Sequence, residues 1–109
     1  MNEKEYRNQV SRLYKKLETA FDNIDPDIVE YEYSQGSVIM HFADSAKCIL
    51  STQPSVSQVW VAAASKGVAL HFNYESTSDS WLDDKGRGIE LTQFLRNLIL
   101  ETTGIELKI

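Results

Sequence analysis

The chain has a single cysteine, Cys48, which excludes an internal disulfide and any metal site built on several thiolates. Its only histidines, His41 and His71, form no His-x-x-x-His pair, so the helical zinc motif of metallohydrolases is missing. Gly86-Arg87-Gly88 is too little to stand for a phosphate-cradling loop. There are two prolines and five glycines, and no repeat, low-complexity tract or linker divides the chain. No apolar run approaches the roughly 18 residues of a membrane span, and Met1 to Arg7 is too charged for a signal peptide, so a soluble cytoplasmic protein is expected. Bases are scarce, 11 against 16 acids, and a net charge of -5 leaves no basic footprint for nucleic acid. The scarcity is sharpest between Lys16 and Lys47, where residues 17–46 hold seven acids and no base. The rest of the chain carries +2, so one segment of -7 accounts for the whole imbalance.

What is present fits one globular domain spanning residues 1–109, with 42% hydrophobic and 25% charged residues. Tyr6, Val10, Leu13, Leu17, Phe21 and Ile24 recur at steps of three and four, which predicts a helix capped by Asn2 and ended near Asn23 to Asp25 by Pro26. Val29 to Tyr33 alternates as a strand. Further strands are predicted at Val38–Phe42, Lys47–Leu50, Val56–Ala64, Val68–Tyr74 and Ser80–Asp83, separated by short turns. A second helix is expected from about Ile89 to Thr103, ended by Gly104, with Ile105, Leu107 and Ile109 docking behind it. The predicted class is α+β: a two-layer sandwich, both helices on one face of a five- to six-stranded antiparallel sheet.

Sieving for chemistry leaves the acids. Cys48 lies mid-strand, where burial as a small hydrophobe suits it, and each histidine reads as a structural or surface residue. The Asp22–Asp27 run fails as an EF-hand loop, because its sixth position is Asp27 rather than glycine. Glu18, Asp22 and Asp25 are spaced to stack along one side of the first helix. Like charges at such spacing cost a helix about 0.2–0.5 kcal/mol per pair, and the negative end of the macrodipole disfavours them further. With Asp27 bridging to Glu30 and Glu32 on one strand face, these six form a predicted acidic ridge. A plain solvated face has the same charge count, but this placement against the dipole favours a functional use. Carboxylates are hard oxygen ligands, so the ridge suits iron, magnesium, calcium or manganese, bound openly and weakly, or a basic protein.

A second feature is Gln58-Val59-Trp60-Val61-Ala62. Alternation places Val59 and Val61 on one face and Trp60 on the other, and either face fits the core. With the valines inward, Trp60 becomes a hot-spot candidate on a rigid sheet. Trp81 fits surface or core, and the surface is the favoured expectation.

Taken together, the acidic first helix and strand, the segment Gln53-…-Gln58-Val59-Trp60-Val61, Trp81 and the C-terminal helix resemble the frataxin family, specifically its bacterial CyaY group. The likeness covers essentially the whole chain, and the Gln-x-x-x-x-Gln-x-Trp core is its most specific part. Ser51 stands where the family usually has asparagine, and Pro54 falls one position before the usual proline. The resemblance implies an iron-binding protein of iron–sulfur cluster assembly, acting without catalysis as iron donor or as regulator of the cysteine desulfurase–scaffold complex. It implies weak Fe2+ or Fe3+ binding at Glu18, Asp22, Asp25, Asp27, Glu30 and Glu32, and partner contacts at Gln53, Gln58, Trp60 and Trp81. A monomer is expected, with oligomers possible when iron is bound. The competing readings are an acidic adaptor whose metal binding is incidental and, with little support from the residues, an iron oxidase.

Overall fold

The structure is a computed structural model that describes all 109 residues. Helix α1 spans Glu3–Phe21, with the Asn2 side chain accepting the Glu5 N–H at 2.8 Å. Its stripe of Tyr6, Val10, Leu13, Tyr14, Leu17 and Phe21 is buried. The helix stops with Asp22 as its cap, short of the expected end. Asp25 therefore lies outside it, and the predicted stacking of Glu18, Asp22 and Asp25 along one helix side is corrected. Pro26 disfavours helical geometry at Asp25. Asp25 instead organises a turn: its carbonyl accepts from Ile28 and Val29, and its carboxylate takes the Asp27 N–H at 2.9 Å.

Six strands follow, β1 (Val29–Ser34), β2 (Ser37–Phe42), β3 (Lys47–Gln53), β4 (Gln58–Ala63), β5 (Val68–Glu75) and β6 (Ser80–Asp83), paired antiparallel in sequence order. Gln35 and Gly36 form the β1–β2 turn with φ of 50° and 84°, the positive pair that a tight hairpin needs to match strand twist. The strand expected from Val56 begins later. Pro54 has no N–H to donate to a ladder, so Pro54–Val56 makes a single 3-10 turn, Ser57 turns left-handed at φ 54°, and β4 starts at Gln58. Helix α2 (Leu91–Thr103) is capped by the Glu90 carboxylate and closed by Gly104 at φ 78°.

The two helices and the inner sheet face share one core of 23 buried residues, including Leu17, Met40, Leu50, Phe72, Leu95 and, from the tail, Leu107. Each fully buried side chain of this size contributes about 1.5–3 kcal/mol of transfer free energy. Trp81 belongs to this core at 4% exposure, which corrects its assignment to the surface. Alternation along β6 turns Trp81 and Asp83 inward and Ser80 and Leu82 outward. The Trp81 ring then packs edge-on between Tyr6 and Tyr74, at 6.3 and 5.5 Å. Trp81 is thus unable to meet a partner without unfolding β6.

Cys48 is fully buried, and burial pushes its thiol up to about 12. Since the thiolate is the reactive form, native protein should resist iodoacetamide at neutral pH while unfolded protein alkylates fully. Intact-mass measurement with and without denaturant checks this.

Candidate functional site

The sheet has unequal edges. The β6 edge is covered by the segment returning to α2, through a bridge between Leu82 and Glu90. The β1 edge pairs with no further strand. The acids gather around this open edge, where α1 ends and β1 begins. Glu18, Asp22, Asp25, Asp27, Glu30 and Glu32 are all exposed. Glu18 belongs to the last turn of α1, which holds no base. Glu30 and Glu32 alternate away from buried Val29 and so lie on the outer face of the sheet. Of the six, only Glu18 and Glu32 have a basic side chain beside them, Lys15 at 3.9 Å and His41 at 2.7 Å. The six do not converge: no three His, Cys, Asp or Glu side chains form a cluster able to hold one metal ion. The donor set suits a hard ion, and its spread suits several loosely held ions rather than one caged one.

On the outer face, register places side chains in rows across the strands. One row runs Glu32, Ile39, Ile49, Ala62, Ala69; the next runs Ser51, Trp60, His71. Val59 and Val61 are buried inward, and Trp60 is half-buried on the outer side. Its indole lies flat on His71, with centroids 4.1 Å apart and planes 12° apart. Trp60 Nε1 donates to Gln58 Oε1 at 2.8 Å, and Gln58 Nε2 donates in turn to Asn73 and Asp84, both at 3.2 Å. The ring is therefore held from its face and from its edge.

The loop before Trp60 is anchored from beneath. The Tyr6 hydroxyl donates to the Gln58 carbonyl at 2.7 Å and accepts the Gln53 N–H at 3.1 Å, so one oxygen from α1 ties both ends of the 53–58 connection. Burial raises its pKa, so the phenol keeps its proton and its donor role. The structure thus brings Gln53, Gln58 and Trp60 together and leaves Trp81 on the opposite, buried side of the sheet.

Three arrangements are not legible in the sequence. His71 as the platform for Trp60 needs the β4–β5 register, which alternation alone does not supply. Arg12 reaches Asp79 with two bonds of 3.0 Å across 67 residues of chain. Asp83 is a buried carboxylate whose partners all lie in the segment after β6. The one available signal is its position two residues from Trp81, on the same side of a short strand.

Comparison with known proteins agrees with this architecture. The model of the frataxin-like domain matches residues 1–105. A protein of Pseudomonas fluorescens named iron–sulfur cluster assembly protein CyaY is 32% identical, over 97% of this chain and 93% of its own. The protein of that name from Pseudomonas aeruginosa is 36% identical, over 95% and 93%. Among solved structures, frataxin from Psychromonas ingrahamii, of the CyaY protein family, superposes with a TM-score of 0.86 at 25% identity, covering 99% of this chain and 97% of that one. A trimeric frataxin from Saccharomyces cerevisiae, solved in complex with ferrous iron, superposes at 0.70 with 20% identity, covering 96% and 88%, a likeness of fold alone. No helix is long and apolar enough to cross a membrane. Domain match, identity and superposition agree, and the chain belongs to the frataxin-like family, in its CyaY group.

Proposed function

We propose that the chain, acting as one domain over residues 1–109, is a non-catalytic cytoplasmic protein of iron–sulfur cluster assembly. It binds iron weakly at its acidic edge and donates it to, or regulates, the cysteine desulfurase–scaffold complex. The relatives named for iron–sulfur cluster assembly support the process. The observation that carries the site is the run of six exposed carboxylates from Glu18 to Glu32, most without a cation partner, in a segment with no base. Iron is cargo in this reading, so an open and readily reversed site is suitable. Gln53, Gln58 and Trp60 form a second, rigid contact surface for a protein partner.

Titrating ferrous iron under anaerobic conditions into isotopically labelled protein tests the site. Line broadening and shifts should concentrate at residues 18–32 and leave the α2 resonances sharp. Effects confined to His41 and His71, or scattered over the surface, would remove the metal assignment.

One observation favours a second reading, an adaptor whose metal binding is incidental: the carboxylates do not converge on a single cage. Under that reading the acidic edge docks a basic partner, and iron leaves the affinity for that partner unchanged.

A further inference from the structure

Between α1 and the open β1 edge lies a cavity of about 310 Å³ whose walls include Tyr14, Tyr31, Tyr33 and the Glu18 side chain. Three of the chain's five tyrosines therefore meet at one opening. We propose that this cavity is a socket for a single arginine side chain of a basic partner protein. The proposal rests on the docking of a basic partner at the acidic edge, and it names the group that enters.

The cavity exists because α1 does not cover the end of the sheet. Tyr31 and Tyr33 point to the inner face of an edge strand, so each has a strand on one side only. Tyr31 is braced by Phe21, stacked at 5.5 Å. Tyr14 is buried and fixed by its hydroxyl, which donates to the Gly36 carbonyl at 2.8 Å. Tyr33 packs edge-on against Tyr14 at 6.1 Å yet remains 61% exposed, a large ring held at the mouth rather than in the core. Glu18 stands close enough to Tyr31 that its charge, after burial, helps hold that hydroxyl protonated.

These walls select a cation. Aromatic faces attract a positive charge through the ring quadrupole, most strongly with the planar guanidinium, which can stack. A carboxylate at the same opening offers the guanidinium a two-point hydrogen bond, which an ammonium meets only as a point charge. An anion would face Glu18, and a purely apolar side chain would strip water from that carboxylate while offering it no hydrogen bond in return. The space is sufficient, since a guanidinium displaces only a few waters of about 30 Å³ each. Lys15 also borders the cavity, 3.9 Å from Glu18, but both side chains are largely exposed. Such a pair is weakly held, so an incoming arginine competes with Lys15 for Glu18.

The probe is a blocked tripeptide, acetyl-Gly-Arg-Gly-amide, titrated into labelled full-length protein without metal or partner, beside its lysine and citrulline counterparts. Saturable shifts at Tyr31, Tyr33 and Gly36 are expected for arginine, weaker ones for lysine and none for citrulline. Tyr33→Ala and Glu18→Gln, both at exposed positions, should each weaken arginine binding roughly three- to tenfold, while Lys15→Ala strengthens it. Citrulline binding as well as arginine, shifts away from the cavity, or unchanged affinity in Tyr33→Ala would overturn the socket. Because neither iron nor desulfurase is in the tube, failure here leaves the iron titration at residues 18–32 as an independent test of the acidic edge.

Discussion

Asp83→Ala is expected to lower Tm by on the order of 10 °C, the scale for losing a buried group with several partners in a domain of this size. The Asp83 side chain is 1% exposed and accepts four hydrogen bonds. Its Oδ1 takes the Ile89 N–H at 2.9 Å, while Oδ2 takes the Lys85 and Arg87 N–H groups at 3.3 Å and Arg87 Nε at 3.1 Å. One carboxylate thereby folds the 84–90 segment back to cover the β6 edge and deliver Glu90 to cap α2. Removing it leaves three backbone donors to find water and frees an edge strand. Burial alone would raise the carboxyl pKa, but the hydrogen bonds outweigh it and the pKa is lowered. A group lowered in the folded state stabilises fully above its unfolded value, about 3.9, and loses that contribution as pH falls through the lower folded value. Asp83→Asn should therefore lose stability at pH 7 and lose less on going to pH 3 than the parent does. Thermal melts by circular dichroism at both pH values read this; equal acid sensitivity in the two proteins would assign the acid loss to other carboxylates.

The difference between what periodicity reveals and what it hides is physical. The stripe from Tyr6 to Phe21 and the alternation of Val59 and Val61 are local patterns, and both survive in the structure because burial of one face dictates them. Trp81 defeats the same approach because β6 has four residues, too few for its inward face to be told from its outward one. Spacing alone puts Asp25 in the helix, whereas Pro26 and the Asx turn remove it. His71 beneath Trp60, Tyr6 beneath Gln58 and Arg12 against Asp79 are pairings between distant segments. They depend on register and helix placement, which charge and hydropathy do not encode locally. The acidic character of the edge is readable at once, because residues 17–46 lack a base whatever their fold. That the acids surround an open strand edge with a tyrosine-lined cavity is not.

Reversing charge at the end of α1 separates function from stability by sign. The double substitution Asp22→Lys with Asp27→Lys, which spares the turn-forming Asp25 carboxylate, should cut affinity for the proposed partner, the cysteine desulfurase, by on the order of a hundredfold at physiological salt, as expected when close charge pairs become repulsive. The same substitution should leave Tm unchanged or raise it. Asp22 caps α1 beside the negative end of the macrodipole, and that last turn contains no base, so a lysine there relieves repulsion instead of creating it. Neither residue is in an ion pair that the change would break. A purely structural role predicts the opposite combination, a fall in Tm with binding affected only through unfolding. The salt dependence supplies a second axis: the parent's affinity should fall steeply as ionic strength rises, and the variant's should be nearly flat, because exposed charges interact through screened water. Calorimetric titration at low and high salt, with melts on the same samples, measures both. An affinity insensitive to the reversal and to salt would place the partner on the Trp60 face and leave the acids to iron alone.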